Sequence, residues 1–278
     1  MPRPHPTRSS LPSPQRIRAL LRTARAAATA AAEIVRRRHR TTGVAMRRKG
    51  VGDFVTAIDL DAELAMRECI LAAHPDHGVL GEERPAQRLD AELVWILDPI
   101  DGTSNFGRGL PVFATSVACL RGGQPLAAAV HCFPEDRIYS AALGLGAHCG
   151  RRPLGMPAVQ RLDDASILGA QWHRGKRRLE FVSKLATTGA RLRNMGCTVS
   201  QLCDVAVGRM DGNVQEQGKL WDFAAAGLIV CEAGGAFTDW LGKPIFPLRD
   251  YDPDRHYPSL AGSPAVVRRL TRVLGKGR

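Results

Sequence analysis

The sequence predicts an α/β fold in which helices and sheets are layered. Three observations predict it. Strand-like and helix-like segments are mixed in both halves of the 278-residue chain, as in an α/β sandwich. The run Leu93-Val94-Trp95-Ile96-Leu97 is apolar throughout, as in a strand buried on both faces, although periodicity alone also fits a helix segment. Phe113 to Leu120, Pro125 to Phe133 and Arg137 to Leu143 read as three strands. Gly122-Gly123 and Pro134-Glu135-Asp136 are their turns, which makes an antiparallel meander.

Taken in order, residues 1–14 carry five prolines among Ser, Thr and Arg and are expected to form a disordered basic tail. Residues 15–278 read as a single domain with an N-terminal half to about residue 150 and a C-terminal half from about 151. From Gln15 to His39 apolar residues recur at three and four positions, giving a helix with an alanine-rich face suited to close packing. Val55-Thr56 fits a short strand and Asp61 to Ala73 a helix closed by Pro75. Val79-Leu80 is a brief strand that ends in Gly81-Glu82-Glu83. Gly144 to Gly155 is glycine-rich and ends the first half. Strands are then expected at Ser166–Ala170, Ala190–Met195 and Asn213–Gln217. Helices are expected at Lys176–Thr187, Val199–Met210 and Asp222–Ala233, and Ser263-Pro264 opens a last one.

Composition narrows the function classes. A hydrophobic content of 44% supports a sizeable core, and no apolar run approaches the roughly 18 to 20 residues that span a bilayer. The N-terminus has no apolar signal-peptide core, so a cytoplasmic protein is expected. Seven cysteines, an odd number without C-x-x-C spacing, read as buried thiols rather than disulfides or a zinc site. The net charge of +12 is concentrated at the two ends. It fits a solvated surface first, and a nucleic-acid or acidic partner second.

The chemistry begins where the apolar run stops. Asp98-Pro99-Ile100-Asp101-Gly102-Thr103 places two carboxylates three residues apart at the expected strand end. Pro99 blocks ladder pairing and Gly102 permits a tight backbone, so the strand is expected to end as the acids begin. Ligands bind at that edge of open α/β sheets. Carboxylates brought together repel unless a proton or cation lies between them, and oxygen-only ligands suit magnesium. The same spacing also fits a capped Asp-x-x-Asp-Gly turn without chemistry. His74 and His77 have the look of a metal pair, but they flank Pro75 in a loop and no third soft ligand follows. Trp172-His173-Arg174 fits a substrate contact or a strand cap equally.

Asp98 to Thr103 with Asn105-Phe106 resembles the signature of the inositol monophosphatase family, magnesium-dependent and lithium-sensitive phosphatases related to fructose-1,6-bisphosphatases. Asp53-Phe54-Val55-Thr56-Ala57-Ile58-Asp59 resembles the family's D-x-V-T-x-x-D, and Gly81-Glu82-Glu83 its G-E-E. Trp221-Asp222-Phe223-Ala224-Ala225, running on to Glu232-Ala233-Gly234-Gly235, resembles its W-D-x-A-A-G…E-A-G-G, with Ala226 where the family usually has Gly. The resemblance implies an αβαβα sandwich, a homodimer and a small sugar or polyol phosphate as substrate, inositol 1-phosphate foremost.

It also implies roles. Glu82, Asp98 and the Ile100 carbonyl would hold one magnesium ion, and Asp98, Asp101 and Asp222 a second; a third ion would use Glu82. Thr103, oriented by Asp59, would activate water. Gly102, Thr103 and Ser104 would bind phosphate, while Arg193 and Thr198 belong to a stretch facing the sugar. Glu83 is an outer acid or a surface charge. Glu216 matches the acid that binds ring hydroxyls if one residue is missing before Trp221; an ungapped count puts Gln215 there. Asp222 also fits a plain helix-start acid. Other readings are a fructose-1,6-bisphosphatase, and a regulatory protein that binds RNA or the transcription machinery through this fold.

Overall fold

The computed structural model describes residues 12–39, 46–50, 53–133, 135–159, 161–171 and 179–275. Helix α1 (Pro14–His39) takes in the last proline of the expected tail. Ser13 precedes it and accepts the Arg16 N–H at 3.3 Å, while Pro14 fills the first helical position, where a missing N–H costs nothing. Residues 1–11 of the expected tail, and Trp172-His173-Arg174, lie outside the described residues.

A hairpin of β1 (Arg47–Gly50) and β2 (Asp53–Val55) leads to α2 (Ala57–Ala73). This helix starts four residues before the expected Asp61. The cause is a capping box: the Thr56 hydroxyl accepts the Ile58 and Asp59 N–H groups, and the Asp59 carboxylate accepts the Thr56 N–H. Asp59 is therefore fixed in the first helical turn.

The larger sheet has seven strands in sequence order: β3 (Gly78–Gly81), β4 (Leu93–Asp101), β5 (Phe113–Arg121), β6 (Gln124–Phe133), β7 (Arg137–Ala142), β8 (Gly146–Cys149) and β9 (Arg152–Pro153). β3 and β4 run parallel and every later pair is antiparallel, including the expected meander. Two expectations are corrected here. β8 and β9 extend the sheet through the glycine-rich stretch. β4 does not end at Leu97 but carries the acids within it. Its pairing with β5 shifts between Asp98, opposite Ser116, and Asp101, opposite Ala114. Three steps on β4 thus face two on β5, a bulge that accommodates Pro99 and re-aims the acids.

The smaller sheet has the order β11-β10-β12-β14-β13, from β10 (Ile167–Gln171), β11 (Arg191–Arg193), β12 (Gly212–Gly218), β13 (Ala236–Thr238) and β14 (Tyr257–Gly262). The sequence patterns gave no sign of β13 or β14. The remaining helices are α3 (Thr103–Arg108), α4 (Leu179–Ala186), α5 (Thr198–Ala206), α6 (Leu220–Glu232) and α7 (Pro264–Gly275).

Packing arranges these into five layers. α1 and α2 cover one face of the larger sheet, with Ala24, Ala28, Ala31, Met66 and Ile70 against Trp95, Leu97 and Val117. α5 and α6 lie between the sheets, and Val199, Leu202, Phe223 and Ile229 share a core with Ile96, Val130 and Ala261. α4 and α7 close the far side of the smaller sheet through Phe181, Leu185, Val266 and Leu270. The order α, β, α, β, α follows from sheets that must bury both faces. α6 is the central slab, and its small residues Ala224, Ala225, Ala226 and Gly227 are all buried. A Cβ on Gly227 would come within 3.0 Å of the Phe237 ring, so the family's Gly one position earlier is met here by its neighbour. All seven cysteines are free thiols. Among the described residues no helix is long and apolar enough to cross a membrane.

Candidate active site

Four chain segments meet where the central helices touch the ends of β3 and β4: the start of α2, the turn after β3, the β4 bulge running into α3, and the start of α6. Each brings a carboxylate. Asp98 is buried to 1% exposure, and neither of its oxygens has a hydrogen-bond partner. Burial first, then the charges of Glu82, Asp101, Asp222 and Asp59, push its carboxyl well above the usual range. A buried carboxyl left without donors is costly. Its surroundings are what a bound cation would relieve.

The other acids are held more firmly. Asp101 Oδ2 accepts the Val199 N–H at 2.6 Å and the Cys197 thiol at 3.1 Å. Burial raises the Asp101 pKa to about 6 against these bonds and those from the Gly102 and Thr198 N–H groups. Asp222 Oδ2 accepts the Lys219 N–H at 2.8 Å, which closes the first turn of α6. The helix-start role is thus real. Burial and the Asp101 charge nonetheless raise Asp222 to about 7, so it also belongs to the acid group. Glu82 is half-buried, and its charge acts on Asp98 directly. The acids gather within electrostatic reach of Asp98. Yet among the described residues no three His, Cys, Asp or Glu side chains close into a ready ligand shell.

Thr103 opens α3 and lies 3.2 Å from Asp59 through Oγ1···Oδ1, and 2.9 Å from the Ile100 carbonyl. Its single hydroxyl proton can serve one of these at a time. Asp59 is buried, and burial raises its pKa against the bonds from Thr56 and Thr103. Gly102 adopts φ 87, and a Cβ there would lie 2.9 Å from the Val112 carbonyl, so glycine is required. Its N–H also helps to hold the Asp101 pKa down. Thr103 and Ser104 keep first-turn N–H groups that α3 itself cannot satisfy.

Residues 17–263 match the sequence profile of the Inositol monophosphatase family. The chain belongs to the inositol monophosphatase family. It is a phosphatase, a hydrolase acting on phosphoric monoesters. A fructose-1,6-bisphosphatase/inositol-1-monophosphatase of Aquifex aeolicus is 35% identical over 202 residues, 71% of this chain and 76% of that protein. The Nus factor SuhB of Escherichia coli is 31% identical over 257 residues, 90% of this chain and 94% of that one. The crystal structure of the extragenic suppressor protein suhB from Bartonella henselae superposes with a TM-score of 0.82 at 29% identity, covering 95% of this chain and all of that one.

In this phosphatase the expected sugar side is mixed. Thr198 is buried, with its hydroxyl donating to Gln171 Oε1 at 2.9 Å and its N–H directed to Asp101. Arg193 is exposed and bonds the neighbouring Leu192 carbonyl. Gln215 is fully buried; its Nε2 donates to Thr198 Oγ1 at 3.1 Å, and its side chain also bonds Asp222. Glu216 follows half-buried, where the β12–β14 register shifts between Gln215 and Gly218. The Gln215 amide thus reaches the acid group at Asp222. Lys219 sends its ammonium to the Pro253 carbonyl at 2.9 Å.

His74 and His77 stack at 4.5 Å between ring centres, with His77 Nδ1 accepting the Trp95 indole N–H at 3.0 Å. They are a packed pair on the α1 side, away from the acids. Three further side chains hold the site together. Cys197 holds Asp101. Asn105 Nδ2 donates to the Val112 and Met195 carbonyls at 2.7 and 2.8 Å, tying α3 to the loop before α5. Glu63 accepts the Glu83 N–H at 2.7 Å. Asn105 belongs to the Asp98–Phe106 signature and Cys197 to the stretch before Thr198, while Glu63 lies four residues after Asp59 and so on the same helical face.

Proposed function

We propose that the chain is a magnesium-dependent phosphomonoesterase of small sugar or polyol phosphates, with inositol 1-phosphate as its foremost substrate. The observation that supports it is Asp98, whose two buried oxygens lack donors amid the charges of Glu82, Asp101, Asp222 and Asp59. Hard oxygen ligands of this kind suit magnesium. Glu82, Asp98, the Ile100 carbonyl, Asp101 and Asp222 would hold two to three such ions, which supply charge neutralisation for phosphate and for water when bound.

The chain's own groups do the rest. Thr103 Oγ1 takes the proton of the attacking water as its own proton passes to Asp59 Oδ1. The raised pKa of Asp59 makes it a better acceptor than an exposed carboxylate. Thr103 and Ser104 N–H groups orient the phosphate, and Arg193 and Thr198 belong to the stretch that faces the alcohol. Glu83 acts through the turn that holds Glu82. Gln215, in place of an acid, leaves the polyol pocket with less negative charge than a Glu would. That broadens the reading to fructose 1,6-bisphosphate as the alternative substrate.

A substrate panel tests this: inositol 1-phosphate, fructose 1,6-bisphosphate, histidinol phosphate and 3′-phosphoadenosine 5′-phosphate, each with magnesium and with excess chelator. Fastest turnover of inositol 1-phosphate, lost in chelator and inhibited by lithium, is expected. Full activity in chelator ends the metal reading, and faster turnover of another ester replaces the substrate.

One observation favours a second reading. The Escherichia coli relative named Nus factor SuhB aligns over 90% of this chain. Exposed Arg18, Arg22, Arg36, Arg37 and Arg38 on α1 would suit RNA or a transcription partner. RNA affinity that falls steeply with salt supports that role, and its absence at low salt removes it.

A further inference from the structure

We propose that Glu63 and Arg67 of α2 are positioning residues that hold the Gly81-Glu82-Glu83 turn in register with Asp98, and so set the affinity of the site for magnesium. The proposal rests on the reading of Glu82 as a metal ligand.

Both side chains are withdrawn from water, Arg67 at 6% and Glu63 at 0% exposure, and they pair at 2.8 Å through Arg67 Nε and Glu63 Oε1. A buried ion pair is poor evidence for stability, because desolvation offsets much of its attraction. Its position suggests another use. Glu63 Oε2 accepts the Glu83 N–H at 2.7 Å, so a charged acceptor grips the backbone next to Glu82. Arg67 Nη2 donates to the Arg84 carbonyl at 3.2 Å, one residue further along. Arg84 returns the contact, its Nη2 donating to the Leu60 carbonyl of α2 at 3.1 Å. The turn is thus clamped to the helix at Glu83 and Arg84, just after the candidate ligand.

Gly81 completes the clamp from the other side. A Cβ at this position would lie 2.2 Å from Glu63 Oε1, so only glycine lets the carboxylate come so close. Asp59 sits one turn before Glu63 on the same helix and reaches Thr103. α2 therefore fixes two parts of the site at once. Without the clamp, Glu82 would be pushed outward by Asp98, Asp101 and Asp222 whenever no cation is bound.

Two double variants separate a positioning role from a stabilising one. E63L/R67M and E63Q/R67M both remove the buried charges, and apolar replacement of such pairs is tolerated by folding. They differ in whether residue 63 can accept the Glu83 N–H. Magnesium binding is measured by calorimetry, amide exchange at Glu83 is measured in metal-free protein, and the magnesium concentration for half-maximal hydrolysis is recorded. E63L/R67M should weaken magnesium binding about tenfold or more and speed Glu83 exchange, with kcat at saturating magnesium within about threefold. E63Q/R67M should fall between the parent and E63L/R67M in binding, because it keeps an acceptor for the Glu83 N–H but loses the Arg67 donor to the Arg84 carbonyl. Equal magnesium affinity in the two double variants overturns the proposal. Glu82→Gln is the reference. If it leaves magnesium affinity unchanged, the ligand reading fails and the proposal with it; if it weakens affinity while E63L/R67M does not, the proposal alone fails. Gly81→Ala gives a second route that keeps both charges. Its added methyl should displace the turn and weaken magnesium binding, and unchanged binding with a preserved melting temperature counts against the clamp.

Discussion

Thr103 and Asp59 sit at the level where chemistry is decided. The 3.2 Å contact between Thr103 Oγ1 and Asp59 Oδ1 competes with the 2.9 Å contact to the Ile100 carbonyl. If the pair acts as one relay, Thr103→Ala and Asp59→Asn each lose about 100-fold or more in kcat. The double variant then loses little beyond either, because groups acting as a unit are non-additive. The assay needs saturating magnesium and a melting-temperature check, since Asp59 also caps α2. Strictly additive losses would leave water activation to metal alone. Asp98→Asn is expected to abolish hydrolysis yet raise the melting temperature of metal-free protein, because it removes one charge from a buried group of like charges. Glu83→Gln should cost far less activity, since the turn is held through the Glu83 N–H, which the substitution leaves intact. Equal losses from the two would show that the ligand set is misassigned. At this scale the acids were legible by type and spacing. The contacts of Glu63 with Glu83, Cys197 with Asp101 and Gln215 with Thr198 were not, because the partners lie 20, 96 and 17 residues away in sequence.

At the scale of elements, α2 carries the clearest test. Thr56 accepts two N–H groups at the helix start and donates to Asp59. Thr56→Ala should therefore destabilise the protein by about 1 kcal/mol, the usual loss for a cap. It should also lower activity about tenfold, because Asp59 is freed to turn from Thr103. Thr56→Ser should restore both, measured by denaturant unfolding and turnover. Activity untouched by Thr56→Ala would separate the cap from the site. The long apolar strands β4 to β7 announce themselves by burial on both faces. β8, β9, β13 and β14 do not. The first three have four residues or fewer, and β14 begins with Tyr257-Pro258 and runs through Ser259 and Gly262. Such strands are defined by the neighbours they pair with, not by their own pattern. The β4 bulge escaped for a related reason: Pro99 signals the end of a ladder unless a bulge absorbs it.

For the whole molecule, the gathered acids predict how stability depends on pH. Asp101 and Asp222 have pKa values raised to about 6 and about 7, and Asp98 is raised further in the same direction. An unfolded Asp titrates near 3.9, so the folded state binds these protons more tightly. Their contribution to stability is full below about pH 4 and is lost as pH rises through the folded values. Metal-free protein should therefore lose melting temperature from pH 5 to pH 8. Magnesium, which binds the ionised acids, should reverse that trend in the alkaline half of the range. Calorimetry with and without magnesium checks it. A metal-free melting temperature that rises over this range would mean that the acids are already paired in the folded state.

The sequence by itself determined the layered class, the meander, the family and the acids at Asp59, Glu82, Asp98, Asp101 and Asp222. Each of these is a local pattern: apolar runs, turn residues and motifs within about ten residues. Only the tertiary structure decided which acid is left without donors. Asp98 lies inside the β4 bulge, where no N–H reaches it, whereas Asp101 is met by Val199 and Asp222 by Lys219. It also brought the Gln215 side chain onto Asp222, a contact that no local pattern states. Hydrogen-bond satisfaction and desolvation depend on every group that arrives from elsewhere in the chain. That is why a motif can name these carboxylates without stating which of them is buried without a donor.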